Sequence, residues 1–277
     1  MEEIQLTNNR FIEVAPGVEL FVRDIGSGDP LVLIPGWTFG AAAFNHQIEH
    51  FSKTHRVIAI DPRSQGKSTV SLQGNDYVTH GKDLAKVIET LALENITLLG
   101  WSFGCLTVWE YVRQHGLDKI QSAVLVDLSP KPLSTDDEND WVEGPLDDIA
   151  GAYTSSLRNP AGQRSFITEY ATEVMVQRKL EADELAWIVD ESLNTPYYVA
   201  ANLFAAGMFS DYRVEAKLLN EALPVLTVAA EHWGKTAHAF MERIAPGSQF
   251  EVFGGHLMFW EHSKKFNEVL EGFLEEN

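Results

Sequence analysis

Short, continuous apolar runs alternate along this chain with longer stretches of helical periodicity. Residues 10–14 and 18–24 read as an opening pair of strands joined by Ala15-Pro16-Gly17. Further strand-length runs fall at 31–34, 57–60, 96–99, 123–126 and 225–228, and a weaker one at 249–253. The internal runs are continuous rather than alternating, as strands are when helices cover both faces of a parallel sheet. Helical patterns lie between them, at about 41–52, 75–93, 103–116, 234–245 and 258–275. That alternation predicts an α/β protein of βαβ units.

One interruption changes the picture. Between about 131 and 219 no strand-like run stands out; the stretch opens polar and acidic and then reads as amphipathic helices. Strands resume after Pro224. The expected organisation is one α/β core from 1–130 and 220–277. A helical lid, 131–219, is inserted after the sixth strand.

The candidate chemistry begins where the 96–99 run meets a helical pattern, at Gly100-Trp101-Ser102-Phe103-Gly104. A serine between two glycines on a strand-to-helix turn is held in a strained conformation, which needs small neighbours. Its hydroxyl projects from the carboxyl edge of the sheet, where helix amides favour developing negative charge. A serine hydroxyl also needs a base. Among nine histidines, His256 follows the 249–253 run and Gly254-Gly255, which brings it to the same edge. His232 and His238, after the 225–228 run, also fall near the cleft. His46, His50, His80, His115 and His262 lie in or beside helical patterns and are expected at the surface or as caps. An acyl oxygen turning into an oxyanion needs two amide donors. Phe103 N–H is one candidate, and Trp37 N–H, after the turn allowed by Gly36, is the other.

Charge narrows the partners. Forty acidic against 21 basic residues give a formal net charge of −19. A field of that sign repels nucleic acid and anionic membranes, so neither is an expected partner. The single cysteine, Cys105, forms no internal disulfide and is expected as a small buried residue in the first turn of a helix. Met1-Glu2-Glu3 opens without a basic or apolar leader, and the apolar runs are too short to span a bilayer, so a cytoplasmic location is expected. No metal site is expected, since His232 and His238 lack further ligands at metal-binding spacing. No dinucleotide or phosphate-binding glycine motif is present, and no cofactor is implied.

Four pieces in order resemble the α/β-hydrolase superfamily over nearly the whole chain. They are Leu33-Ile34-Pro35-Gly36-Trp37, Asp61-Pro62-Arg63-Ser64-Gln65-Gly66-Lys67-Ser68, the glycine-flanked serine, and Gly255-His256 followed by Trp260-Glu261. The resemblance implies an α/β-hydrolase fold with a mostly parallel sheet flanked by helices, of the esterase and haloperoxidase-like kind. It implies structural roles for the second piece and for Glu261. It departs from pattern at the acid. Many members carry an aspartate after the seventh strand, where this chain reads Ala229-Ala230-Glu231-His232-Trp233. Some place it after the sixth, which favours Asp127. Glu231 is the alternative, and a third is that no acid acts.

Gly36, Trp141, Trp233, Met258 and Trp260 are expected to line an apolar acyl pocket. Phe39, Leu203, Phe204, Met208 and Phe209 are further candidates. The reading that follows is an ester hydrolase for a small-molecule acyl substrate, with Ser102, His256 and Asp127 as catalytic residues and Trp37 and Phe103 binding the oxyanion. Members of the superfamily that are lactonases, perhydrolases or cofactor-free dioxygenases supply alternatives, as does a receptor-like binder with little turnover.

Overall fold

The computed structural model describes residues 7–134 and 140–277. The opening Met1-Glu2-Glu3 and positions 135–139 of the acidic stretch lie outside the described residues. Among the described residues eight strands form one sheet: β1 (Thr7–Ala15), β2 (Val18–Ile25), β3 (Pro30–Ile34), β4 (Arg56–Ile60), β5 (Ile96–Trp101), β6 (Ile120–Val126), β7 (Val225–Ala229) and β8 (Gln249–Val252). Their order is β1-β2-β4-β3-β5-β6-β7-β8. β1 and β2 form an antiparallel hairpin, β2 runs antiparallel to β4, and the remaining neighbours are parallel.

The uniform apolar runs have the expected cause. All six residues of β5 and all five of β7 are buried, because both faces are covered. Each such Val, Leu or Ile contributes roughly 2 kcal/mol by leaving water. β8 is an edge strand with exposed side chains, which is why its apolar signal is weak.

The core helices are α1 (Asn45–Phe51), α2 (Tyr77–Thr90) and α3 (Gly104–His115); α4 (Leu146–Thr154), α5 (Pro160–Tyr170), α6 (Ala182–Leu193) and α7 (Tyr197–Met208) belong to the insertion. They are followed by α8 (Arg213–Ala222), α9 (Gly234–Ile244), α10 (Met258–Glu261) and α11 (Ser263–Glu276). α2 starts where the Asp76 side chain accepts from Thr79 N–H at 2.8 Å, an N-cap. α2, α3 and α8 pack together, whereas α1, α10 and α11 form a second group. α8 straddles the expected boundary at 219. It flanks α3 through a paired Arg113–Glu215 contact (2.8 and 2.9 Å), so it works as a sheet-covering helix.

Topology selects the site. From β3 the chain goes to β4 on one side and later returns to β5 on the other, so β3 and β5 diverge in connection while lying side by side. The crevice outside their carboxyl ends is where such sheets bind ligands. The Asp61–Ser68 segment is the corner that follows β4. Asp61 accepts from Ala41 N–H (2.6 Å) and Lys67 N–H (2.7 Å), and Arg63 pairs with buried Asp83 at 2.7 and 2.8 Å. Among the described residues no helix is long and apolar enough to cross a membrane.

Candidate active site

Three adjacent strands deliver the candidate groups. β3 runs into Trp37, β5 into Ser102, and β6 into Asp127. Ser102 has φ of 51°, a left-handed conformation that a serine adopts only under constraint. The constraint is visible: Ser102 N–H donates to Val126 O at 2.7 Å, and Ser102 O accepts from Cys105 N–H at 2.8 Å. The turn is also crowded. A Cβ on Gly104 would sit 2.3 Å from Ile34 O, and one on Gly36 would sit 2.9 Å from Ser102 Cβ. Gly36 therefore gives room to the serine. The left-handed residue of that loop is Thr38 (φ 66°), whereas the sequence pointed to Gly36 as the turning residue.

His256 arrives after β8 and is fixed through its backbone. Its N–H donates to Val174 O at 3.1 Å, and its carbonyl accepts from the Trp101 indole at 2.8 Å. The ring packs against Trp101 and Tyr170, with centroids 5.4 and 5.6 Å away. His256 Nδ1 lies 2.7 Å from Asp127 Oδ2, and Asp127 Oδ1 accepts from Ala230 N–H, also at 2.7 Å. Asp127 is fully buried and itself left-handed (φ 54°). Glu231 is exposed and accepts from the Gln177 side-chain amide at 2.7 Å. The carboxylate bonded to His256 is thus Asp127.

Ser102 and His256 line one cavity of about 340 Å³ without a hydrogen bond between their side chains. Such bonds are commonly loose before substrate binds. Trp37 and Phe103 line the same cavity, and neither backbone N–H has an acceptor among the described residues. The Trp37 indole donates to Ala200 O at 2.8 Å, pinning this loop to α7.

The walls are aromatic: Trp37, Phe39, Trp101, Phe103, Phe166, Tyr170 and Phe204, with Met175 and Met208. Four residues expected in the pocket lie elsewhere. Trp141 is fully buried in a separate cluster with Phe240 and Met241. Trp233 caps α9 and packs against His232, centroids 4.4 Å apart. Met258 begins α10 inside the core. Trp260 stacks on Trp187 at 5.6 Å, under the Arg178 guanidinium. Phe204 and Met208 do face the cavity, whereas Leu203 is core and Phe209 is exposed.

His232 and His238 stay outside the cavity; His238 packs on Phe250 at 4.9 Å. His80, expected at the surface, is buried because α2 turns that face onto the core, and its Nε2 has no partner. Burial pushes its pKa down to about 4. Cys105 is buried as expected, its thiol pushed up by desolvation and thus inert.

Spacing did not single out Phe166, Tyr170 or Glu143. Glu143 is one acid in an acid-rich stretch, yet it lines the cavity. Burial, with the Asp127 charge beside it, pushes its carboxyl up to about 8.

Comparison with known proteins agrees with this fold. A family model described as alpha/beta hydrolase fold matches residues 29–178. The AB hydrolase superfamily protein YisY of Bacillus subtilis is 34% identical, over 95% of this chain and 98% of its own. A non-heme chloroperoxidase, CPO-A1 of Kitasatospora aureofaciens, is 32% identical over 53% of each chain. Among solved structures, an esterase from Exiguobacterium antarcticum superposes with a TM-score of 0.85, at 25% identity, over 97% of this chain and all of the other.

Proposed function

This chain belongs to the α/β-hydrolase family, and within it we propose a serine hydrolase that cleaves a small to medium, largely apolar carboxylic ester. The observation that carries the reading is the 2.7 Å bond between His256 Nδ1 and Asp127 Oδ2, beside a left-handed Ser102 on the same cavity.

In this reading Asp127 keeps the proton on Nδ1, so that Nε2 faces the cavity as a base. Nε2 takes the Ser102 proton as Oγ attacks the ester carbonyl carbon. The carbonyl oxygen becomes an oxyanion between the Trp37 and Phe103 amides. Collapse breaks the bond to the leaving alkoxide, which receives the proton from Nε2. Water then gives its proton to Nε2 and attacks the acyl carbon; the Ser102–acyl bond breaks, and serine recovers its proton. The helices α4, α5 and α7 act as the lid over this chemistry, and the small aromatic chamber favours short to medium acyl chains.

A fluorophosphonate probe is expected to label Ser102 and no other residue, and p-nitrophenyl esters to give a burst equal to the enzyme concentration. A folded sample that takes no label overturns the reading. The chloroperoxidase relative favours a second acceptor at the same acyl-enzyme. Hydrogen peroxide in the place of water attacks the acyl carbon and leaves as a peracid, so acyl transfer to peroxide at a rate comparable to hydrolysis marks a perhydrolase.

A further inference from the structure

Two carboxyl groups, Asp127 and Glu143, lie within electrostatic reach of each other, and the protein treats them unequally. Asp127 receives two N–H donors at 2.7 Å, from His256 Nδ1 and Ala230 N. Glu143 receives one long contact, 3.4 Å from Ser129 N–H to Oε1. Its backbone N–H is fixed to Pro132 O at 2.9 Å. Two like charges in a poorly solvated site do not both ionise, and the group with more donors keeps the charge. Glu143, with the fewer donors, therefore holds the proton. Glu143 Oε2 has no hydrogen-bond partner among the described residues, and the residue forms part of the cavity wall.

We propose that Glu143 is a neutral carboxylic acid that donates a hydrogen bond from the cavity wall to a substrate oxygen other than the reacting carbonyl. This deepens the acyl-enzyme reading and rests on it: the preferred substrates are uncharged esters with a second acceptor oxygen, such as a ketone, in the acyl chain. Anionic acyl chains are disfavoured, since among the described residues no lysine or arginine lines the cavity and Asp148, on α4, stands in the same wall.

The groups facing Glu143 set when it ionises. Asp127 contributes a negative charge from the end of β6, and burial adds to its effect. His256 shares the cavity. Tyr170 on α5 and Cys105 on α3 are both pushed up by burial, so each stays neutral. With the carboxyl raised to about 8, the donor is present below that pH and disappears above it.

The test compares p-nitrophenyl 4-oxopentanoate with p-nitrophenyl pentanoate, which differ by the acceptor oxygen. The wild type is expected to prefer the keto ester by about tenfold in kcat/KM, the size of one good hydrogen bond. Glu143→Gln, which still donates, keeps most of that preference and Glu143→Leu loses it, each read as the ratio of the two esters within one variant. In the wild type the preference falls as pH rises through 8; in Glu143→Gln it stays flat. Equal rates for the two esters in a wild type that labels at Ser102 overturn the inference alone, whereas absent labelling and turnover overturn the acyl-enzyme reading. A carbon-13 carboxyl titration of the Ser102→Ala protein reads Glu143 without turnover, its signal assigned by loss in a Ser102→Ala, Glu143→Gln protein. The midpoint is expected near 8 and is expected to rise with 4-oxopentanamide but not with pentanamide. A midpoint in the ordinary carboxylate range, or one that both amides move equally, sinks it.

Discussion

The Trp101 indole N–H donates to the backbone carbonyl of His256 across 2.8 Å, joining the residue before Ser102 to the one whose ring meets Asp127. Both ends are buried, so the bond fixes the distance between two parts of the chain that share no local structure. Trp101→Phe keeps an aromatic ring there and removes the donor. The expected results are a loss of about 1–3 kcal/mol in unfolding free energy and a fall in kcat larger than the change in KM. Chemical denaturation and steady-state kinetics on one ester check this; unchanged kcat means the bond does not position the imidazole.

Asp127 and Glu231 separate in the same assay. Asp127→Asn is expected to lower kcat/KM by roughly a thousandfold to ten-thousandfold, because an amide in that place favours the wrong imidazole tautomer. Glu231→Gln should change it by less than about threefold, as its carboxylate meets Gln177 and not the imidazole. The reverse pattern would move the acid to the loop after β7.

His80 makes the fold sensitive to mild acid. Its folded pKa, pushed down to about 4 by burial, lies below the unfolded value of 6.5, so the unfolded chain binds more protons between those pH values. Stability is therefore complete above 6.5, declines as pH falls towards 4, and the lost part is of the order of about 3 kcal/mol. His80→Leu is expected to flatten the fall in melting temperature between pH 7 and pH 5. An equally steep fall in the variant assigns the sensitivity to other groups.

Glu261 ties the insertion to the imidazole loop. Its nearly buried carboxylate accepts from Gln177 N–H at 2.9 Å and from Arg178 N–H at 3.0 Å. Glu261→Ala leaves those amides without an acceptor. Trypsin cleavage after Arg178 and Lys179 should become faster by about tenfold or more, with KM rising more than kcat falls. Mass spectrometry of the early fragments identifies the cut; an unchanged cleavage rate removes Glu261 from this role.

What was legible in the sequence was local or set by strand order. The serine turn carries its own glycines, and Asp127 follows an apolar run directly, so their place at the sheet edge follows from the chain alone. His256 was legible because a short strand and two glycines precede it. The cavity walls were not. Whether Trp141 or Tyr170 faces Ser102 depends on how α4 to α7 cross the sheet edge, and amphipathic periodicity gives a buried face without saying what it is buried against. Trp141, Trp233, Met258 and Trp260 are apolar and near the right segments, yet each packs into another neighbour. Glu143 escaped notice for a related reason: its distinctive property is proximity to Asp127, which no spacing rule encodes. His80 shows the converse, a polar residue on a face that tertiary packing closed.

Because the carboxylate stands at the end of β6, the chain passes from it into the covering helices within a few residues. Leu128 through Pro132 thus connect Asp127 to the covering helices, and Ser129 and Pro132 hold both ends of Glu143. Any shift of those helices reaches Asp127 through covalent bonds. Anyone exchanging this insertion for that of another hydrolase must keep the connector, or the transplanted cover will arrive with its acid out of register.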